Sequence, residues 1–137
     1  MLVSDGLLFL DQVGWRVIAE PQALDGAAWP AGSQVVRISP DDVFVVGGAE
    51  PAVPGDPFAI VTREHGFAGA ELSAAAVAAI AQEHIEWSLP GPRPSLAQGQ
   101  IAGVPAKLVL RADGSALLLV ACAARHELQD RLREVTQ

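Results

Sequence analysis

The sequence predicts an α+β protein built on a mostly antiparallel sheet with helices on one face. Short apolar or alternating runs, which are typical of strands, fill the first half of the chain. An amphipathic pattern at 73–84 predicts a helix, and a turn signal at 112–114 lies between two β-rich runs. The chain has 137 residues, of which 50% are hydrophobic and 18% charged. This composition excludes intrinsic disorder and predicts a single domain over residues 1–137.

The first half of the chain predicts two pairs of strands. Leu7–Leu10 and Trp15–Ala19 flank a turn-like segment at 11–14, so we expect a first hairpin there. Gln34–Ile38 and Val43–Val46 predict a second pair, because a proline followed by aspartates links them and suits a tight turn.

The pattern changes from residue 58 onward. Phe58–Thr62 predicts a further strand, and Gly66–Ala70 predicts a short one after it. A helix is expected to begin at Ser73, whose hydroxyl can accept hydrogen bonds from first-turn amides, and to run to about His84. The proline-rich segment 88–99 predicts a loop.

The C-terminal third predicts a hairpin and a helix. Gln100–Arg111 and Ser115–Ala121 lie on either side of the turn signal. Pro105 cannot donate to a ladder, so we expect its strand to be an edge at that residue or to begin with a bulge near Gly103. A helical apolar stripe follows at Ala124, Leu128, Leu132 and Val135. The resulting order predicts a ferredoxin-like split β-α-β unit with additional N-terminal strands.

Charge and cysteine content limit the function classes. Nine Lys and Arg residues against sixteen Asp and Glu residues give a net charge of -7, which excludes nucleic-acid binding through a basic field. Cys122 is the single cysteine and lies in the apolar run 116–124, which predicts an inert buried thiol and is too short to span a membrane. Met1–Leu10 lacks the basic start of a signal peptide. We therefore expect a cytoplasmic protein without membrane contact.

Catalytic and metal-binding motifs are missing from the sequence. It contains no nucleophile elbow, no phosphate-binding glycine motif and no histidine pair at metal-ligand spacing. His84 is expected to be half-buried on its helix, and His126 is expected on the surface. His65, beside Glu64 in an expected loop, has the most site-like setting of the three histidines. The prediction is no catalytic residue and no metal, so an enzyme is the least favoured class.

The most site-like stretch runs from residue 86 to 111. Its candidate ligand-binding residues are Trp87, Arg93, Gln98, Lys107 and Arg111, with Gln100 beside them. Lys107 and Arg111 share one face of their strand, where two cations could receive a carboxylate or a partner's acidic side chain. A solvated outer strand face explains the same pattern. Arg16 is the one cation among the first 35 residues, so the charge is uneven along the chain.

Three stretches resemble elements of a known family. The segment V-R-I-S-P-D-D-V-F-V-V at 36–46 is similar to an "R-L-x-P-D-E-W-L-L" element, although Val43-Phe44 stands where that element has tryptophan. A second similarity is to a loop that enters a "G-x-x-A-G-V" strand. It is carried by W-S-L-P at 87–90 and A-Q-G-Q-I-A-G-V-P-A at 97–106. Residues 117–132 match a closing strand and helix. These elements belong to sarcosine oxidase gamma subunits, whose fold is shared by the folate-binding domains of aminomethyltransferases, and the resemblance covers residues 35–135.

The resemblance implies an accessory role. It suggests a noncatalytic subunit or interaction domain associated with an amine-oxidising or one-carbon, folate-linked enzyme. Tetrahydrofolate enters as a cofactor by resemblance only, with Trp87 or Arg93 as its contacts. The alternative is a freestanding binding protein for a small anion or folate-like molecule, with its pocket between the N-terminal strands and the Trp87 loop. A protein partner or self-association is expected in the first case.

Overall fold

The structure is a computed structural model that describes residues 6–137. These residues form two compact units, the first spanning residues 12–66 and the second combining residues up to 11 with 67–137. A single domain over 1–137 stays a prediction. The first five residues, on which part of the signal-peptide argument depends, lie outside the described residues. Within residues 6–137, no helix is long and apolar enough to cross a membrane.

The first unit is a sheet with one short helix. Its elements are β1 (Leu10–Ile18), α1 (Pro21–Asp25), β2 (Gln34–Ser39), β3 (Asp42–Val46) and the first half of β4 (Ile60–Leu72). The strand order is β2-β3-β1-β4, and β3 pairs antiparallel with both of its neighbours. The predicted second strand pair is confirmed as β2 and β3, joined by a turn at residues 40–41. The core of this unit consists of Val17, Ala19, Leu24, Val43, Val45 and Val53.

The predicted hairpin turn at residues 11–14 is wrong. This segment lies inside β1, which continues without interruption to Ile18. Gly14 does not have a positive φ and instead allows the neighbouring strand to come close. A Cβ atom at Gly14 would lie 1.9 Å from the carbonyl oxygen of Val45. The glycine that indicates a turn in the sequence is therefore needed for strand pairing.

The second unit packs a four-stranded sheet against two helices. Its elements are the second half of β4, α2 (Ala74–His84), β5 (Ser95–Ile101), β6 (Val104–Leu110), β7 (Ala116–Ala121) and α3 (Arg125–Arg131), with a 3₁₀ turn at Cys122–Ala124 before α3. The strand order is β4-β7-β6-β5, and every neighbouring pair is antiparallel. The class α+β with a mostly antiparallel sheet is thus confirmed.

Both helices pack on one face of this sheet, as predicted. Ile80 of α2 and Leu128 of α3 are fully buried in the same core as Leu108 and Leu118 of the sheet. The predicted cap of α2 is confirmed, because the Ser73 hydroxyl accepts a hydrogen bond from the backbone N–H of Ala76 at 3.1 Å. The α3 helix ends at Arg131, so the last predicted members of its apolar stripe lie beyond it but are still buried.

The segment predicted as the loop 88–99 contains a strand. β5 begins at Ser95, and a two-residue turn at Ala102 and Gly103, with φ values of 50° and 80°, joins it to β6. Pro105 lies in β6, which is central in the sheet as a whole but pairs only with β5 at this residue, so the strand is an edge there, as predicted. Its missing N–H is tolerated because the pairing of β6 with β7 begins only at Lys107.

The extra strand changes the element order. The second unit reads β-α-β-β-β-α, whereas the ferredoxin-like unit reads β-α-β-β-α-β. Because every neighbouring pair is antiparallel, the strands before and after α2 run in opposite directions with two strands between them. The two short strands predicted at 58–62 and 66–70 are in fact one long strand, β4.

The hairpin between β6 and β7 is confirmed. The carboxylate of Asp113 accepts hydrogen bonds from the backbone N–H and the hydroxyl of Ser115, at 2.9 Å and 2.6 Å. These bonds, with the hydroxyl contributing most, lower the pKa of Asp113. Gly114 supplies the positive φ, +90°, that the turn requires.

We expect Gly14→Ala to lower the free energy of unfolding by about 3 kcal/mol or more, because the new methyl group would overlap the carbonyl of Val45. Urea denaturation followed by circular dichroism measures the change. Gly91→Ala is the matched control, since a Cβ atom at that position meets no atom within 4 Å. Equal stability of the two variants would contradict the close approach of β1 and β3.

Candidate functional site

Trp87 packs against the sheet of the second unit on the side of the helices. A Cβ atom at Gly99 would lie 2.5 Å from Cε2 of the indole ring, so the ring occupies the space that a larger residue would need. The indole N–H donates to the carbonyl oxygen of Gln100 at 2.9 Å. The ring is half-buried against the core that contains Ile101. Trp87 is therefore held in place from two sides by β5.

Gln98 and Lys107 lie on the opposite face of the sheet. They are directly opposite each other in the β5–β6 register, and the Lys107 ammonium donates to Oε1 of Gln98 at 2.9 Å. Side chains alternate along a strand, so Gln98 points away from the face on which Trp87 covers Gly99. The fold brings Gln98 and Lys107 together but separates both from Trp87.

Arg111 is held by a carboxylate. Its guanidinium donates two hydrogen bonds to Glu71 of β4, at 2.6 Å and 3.0 Å. This bidentate contact raises the pKa of Arg111. Arg93 points its guanidinium at carbonyl oxygens of its own loop, those of Pro90 and Gly91. Ligand binding by the predicted residues stays a prediction, and the structure distributes them over separate places.

A cleft of about 290 Å³ lies beside Trp87. Its lining includes Glu83, His84, Glu86 and Gln100. The two exposed carboxylates make this cleft unfavourable for an anion. A second cleft of about 480 Å³ shares His84 and Glu83 with the first and is also lined by Glu134. Both of these clefts are thus acidic.

The remaining chemistry-bearing residues are dispersed. His84 is half-buried and His126 is exposed, as predicted, whereas His65 lies in β4 and not in a loop. Cys122 is half-buried at the edge of the core, whereas the sequence predicted a buried thiol. Among residues 6–137, no group of three or more His, Cys, Asp or Glu side chains is arranged to hold a metal ion.

In the first unit, Arg16 forms the centre of an ion cluster. Its Nε and Nη2 atoms donate to the two carboxylate oxygens of Asp42 at 2.6 Å and 2.7 Å, and its Nη1 atom donates to Glu64 at 2.8 Å. The side chain of Arg16 is 29% exposed, and those of Asp42 and Glu64 are 16% and 20% exposed. Hydrogen bonding to Asp42 contributes most to raising the pKa of Arg16. This guanidinium joins β1 to β3 and β4.

A groove in the first unit lies next to this cluster, and we call it the Phe58 groove. It measures about 620 Å³. It is lined by Ile18, Ala19, Glu20, Pro21, Pro40, Asp41, Asp56, Phe58 and Ile60. Phe58 is 87% exposed and Ile60 is 57% exposed. Three carboxylates lie around this apolar surface.

Two residues fix the walls of the Phe58 groove. The carboxylate of Asp56 accepts hydrogen bonds from the backbone N–H groups of Glu20 and Phe58, each at 2.9 Å. The guanidinium of Arg37 donates to the carbonyl oxygens of Pro21 at 3.2 Å and of Pro40 at 3.1 Å. It also pairs with Asp25 at 2.9 Å. The groove is therefore a fixed surface feature.

The fold is similar to that of a chain in heterotetrameric sarcosine oxidase from Corynebacterium sp. U-96, in a structure with pyrrole 2-carboxylate. The TM-score is 0.69 at 13% sequence identity, and the match covers 98% of this chain and 86% of the other. The resemblance suggested by the sequence is confirmed at the level of the fold. No protein-family model matches the sequence, and neither does any curated protein.

Reasoning from the sequence missed the Phe58 groove. Phe58 and Ile60 indicate a strand, and nothing in the run shows that their side chains remain exposed. The Asp56-Pro57 pair before them is a turn signal that predicts only a loop. The groove forms because β1, the turn before β3 and β4 place Ile18, Asp41 and Ile60 along one surface.

We expect Gly99→Ala to displace the indole ring of Trp87, shift tryptophan emission to longer wavelength and lower the free energy of unfolding by about 1–3 kcal/mol. Emission spectra and urea denaturation measure both effects. The double variant with Trp87→Ala is the control, since removing the ring removes the overlap. A full additional loss in the double variant would show that Gly99 acts independently of Trp87.

We expect Arg16→Lys to lower the free energy of unfolding by about 1–2 kcal/mol, because an ammonium cannot reproduce the paired contacts with Asp42. Arg133→Lys is the matched control, since Arg133 is 79% exposed and contacts Asp130 at 3.2 Å. Thermal and urea denaturation measure both variants. Equal stability of the two would argue against a structural role for the Arg16 cluster.

Proposed function

We propose that this protein is a noncatalytic subunit of an amine-oxidising enzyme assembly. The observation that carries the proposal is the fold similarity to a chain of a heterotetrameric sarcosine oxidase over almost the whole length of both chains. The near-complete coverage supports a role equivalent to that of a whole subunit. In this proposal the protein acts in the cytoplasm and binds protein partners.

The distribution of side chains favours a partner over a substrate. Polar groups that sequence reasoning assigned to a ligand are engaged in cross-strand and loop contacts, as with Arg111 on Glu71. Large apolar side chains are exposed instead, among them Phe58 at 87%, Leu8 at 67% and Ile60 at 57%. Exposed apolar patches are typical of protein–protein contact surfaces.

The alternative is a freestanding protein that binds a small anion or tetrahydrofolate. The positive charge of Lys107 beside Gln98 favours it, whereas Glu83 and Glu86 beside Trp87 oppose it. Titration calorimetry of the chain with tetrahydrofolate separates the two functions. The subunit proposal expects no heat, and saturable heat that is lost in Lys107→Ala would favour the binding protein.

We expect the tagged chain, isolated from the organism that encodes it, to co-elute with other protein subunits at a fixed molar ratio. The same fractions should show sarcosine-dependent oxygen consumption. Size-exclusion chromatography with light scattering and an oxygen electrode measures both properties. The untagged chain is the control for non-specific retention. Elution of the chain by itself, with the activity in the unbound fraction, would contradict the proposed function.

A further inference from the structure

We propose that the Phe58 groove binds a segment of a partner protein in which an apolar side chain is flanked by Lys or Arg. The inference rests on the proposed function, because it names the docking surface of the subunit. It is carried by three properties of the groove, namely exposed apolar area, a fixed backbone and a negative rim.

The first property is exposed apolar area. Phe58, Ile60 and Ile18 are 87%, 57% and 38% exposed, and all three line the groove. Covering an exposed aromatic or aliphatic side chain with a partner lowers the free energy of the system, because apolar surface leaves water. Aromatic anchors dominate many interfaces. The groove therefore offers the apolar centre that a docking site requires.

The second property is the fixed backbone around that area. The Asp56 carboxylate holds the N–H groups of Phe58 and Glu20, so the exposed ring projects from an ordered turn. Arg37 holds the carbonyl groups of Pro21 and Pro40 on the other wall. A partner that binds a preorganised surface has less conformational entropy to lose.

The third property is charge. Glu20, Asp41 and Asp56 are the charged residues that line the groove, and within the described chain no Lys or Arg lines it. The nearby cation of Arg37 is paired with Asp25. This negative rim is complementary to Lys or Arg in the bound segment. A second copy of the chain, itself at -7, would bring a further excess of negative charge to the same surface.

The exposure of the groove favours a segment over a small molecule. Its volume of about 620 Å³ would accommodate either a few side chains or a small ligand, so exposure is what distinguishes them. Phe58 remains 87% exposed, whereas a pocket for a small ligand encloses most of its contents. A short stretch of partner chain can cover the ring and place its cations on the rim at the same time.

The first experiment uses the assembly isolated with the tagged full chain. We expect Phe58→Ser and Glu20→Lys each to lower the amount of oxidase retained about ten-fold. The controls are Leu8→Ser, which removes another exposed apolar side chain, and Glu86→Lys, which makes the same charge change in the other unit. If all four variants retain the oxidase like the unchanged chain, the groove is not the docking surface, although the proposed function stands.

The second experiment needs no assembly. We expect a peptide of alternating Leu and Lys to shift backbone amide signals of groove residues in the ¹⁵N-labelled full chain. Phe58→Ser should weaken this binding about ten-fold. Circular dichroism verifies that the variant is folded. A Leu-Glu peptide and hexylammonium are the comparison ligands.

Each outcome of the titration decides the inference. Shifts confined to the groove with the Leu-Lys peptide, together with weak binding of both comparison ligands, support a basic apolar segment. Equal binding of hexylammonium would assign the groove to a small amine. Concentration-dependent dimerisation through the same residues would assign it to a second copy. Shifts that are absent or spread over the surface would overturn the docking site even if the assembly forms.

Discussion

The guanidinium of Arg16 is the interaction on which the arrangement of the first unit depends. It binds Asp42 on one neighbouring strand and Glu64 on the other, so one planar group fixes three strands in register. The Phe58 groove follows from this register. Ile18 lies two residues after Arg16, Asp41 precedes Asp42, and Ile60 shares a strand with Glu64. A shift of any of the three strands would move a wall of the groove.

Both units use glycine to admit a neighbouring group as well as to make turns. Gly14 accommodates the carbonyl of Val45, and Gly99 accommodates the ring of Trp87. Gly103 and Gly114, by contrast, lie in turns and have positive φ. At Gly14 and Gly99 a neighbouring group leaves no space for a side chain, whereas at Gly103 and Gly114 the positive φ disfavours any other residue.

The charged groups of the molecule serve mainly to hold elements in place. Arg111 binds Glu71, Arg125 binds Asp11 at 3.0 Å, and the Arg16 cluster joins three strands. These ion pairs are spread over both units. In the Phe58 groove, exposed apolar area and negative charge occur together. The proposed docking surface is based on this distribution.

The sequence by itself determined the elements that depend on local chemistry. The Ser73 cap, the Asp113-Gly114 turn and the strand pair around Pro40 each follow from a side chain or a φ preference within a few residues. The sequence could not reveal β5, whose strand character comes from pairing with β6 after a proline-rich approach. It also could not tell that Gly14 serves strand contact, since the oxygen of Val45 is distant in sequence. Only the tertiary structure decided these points, because strand register determines which distant residues meet. For the same reason it separated Trp87 from Lys107 and assembled the Phe58 groove from segments that are distant in sequence.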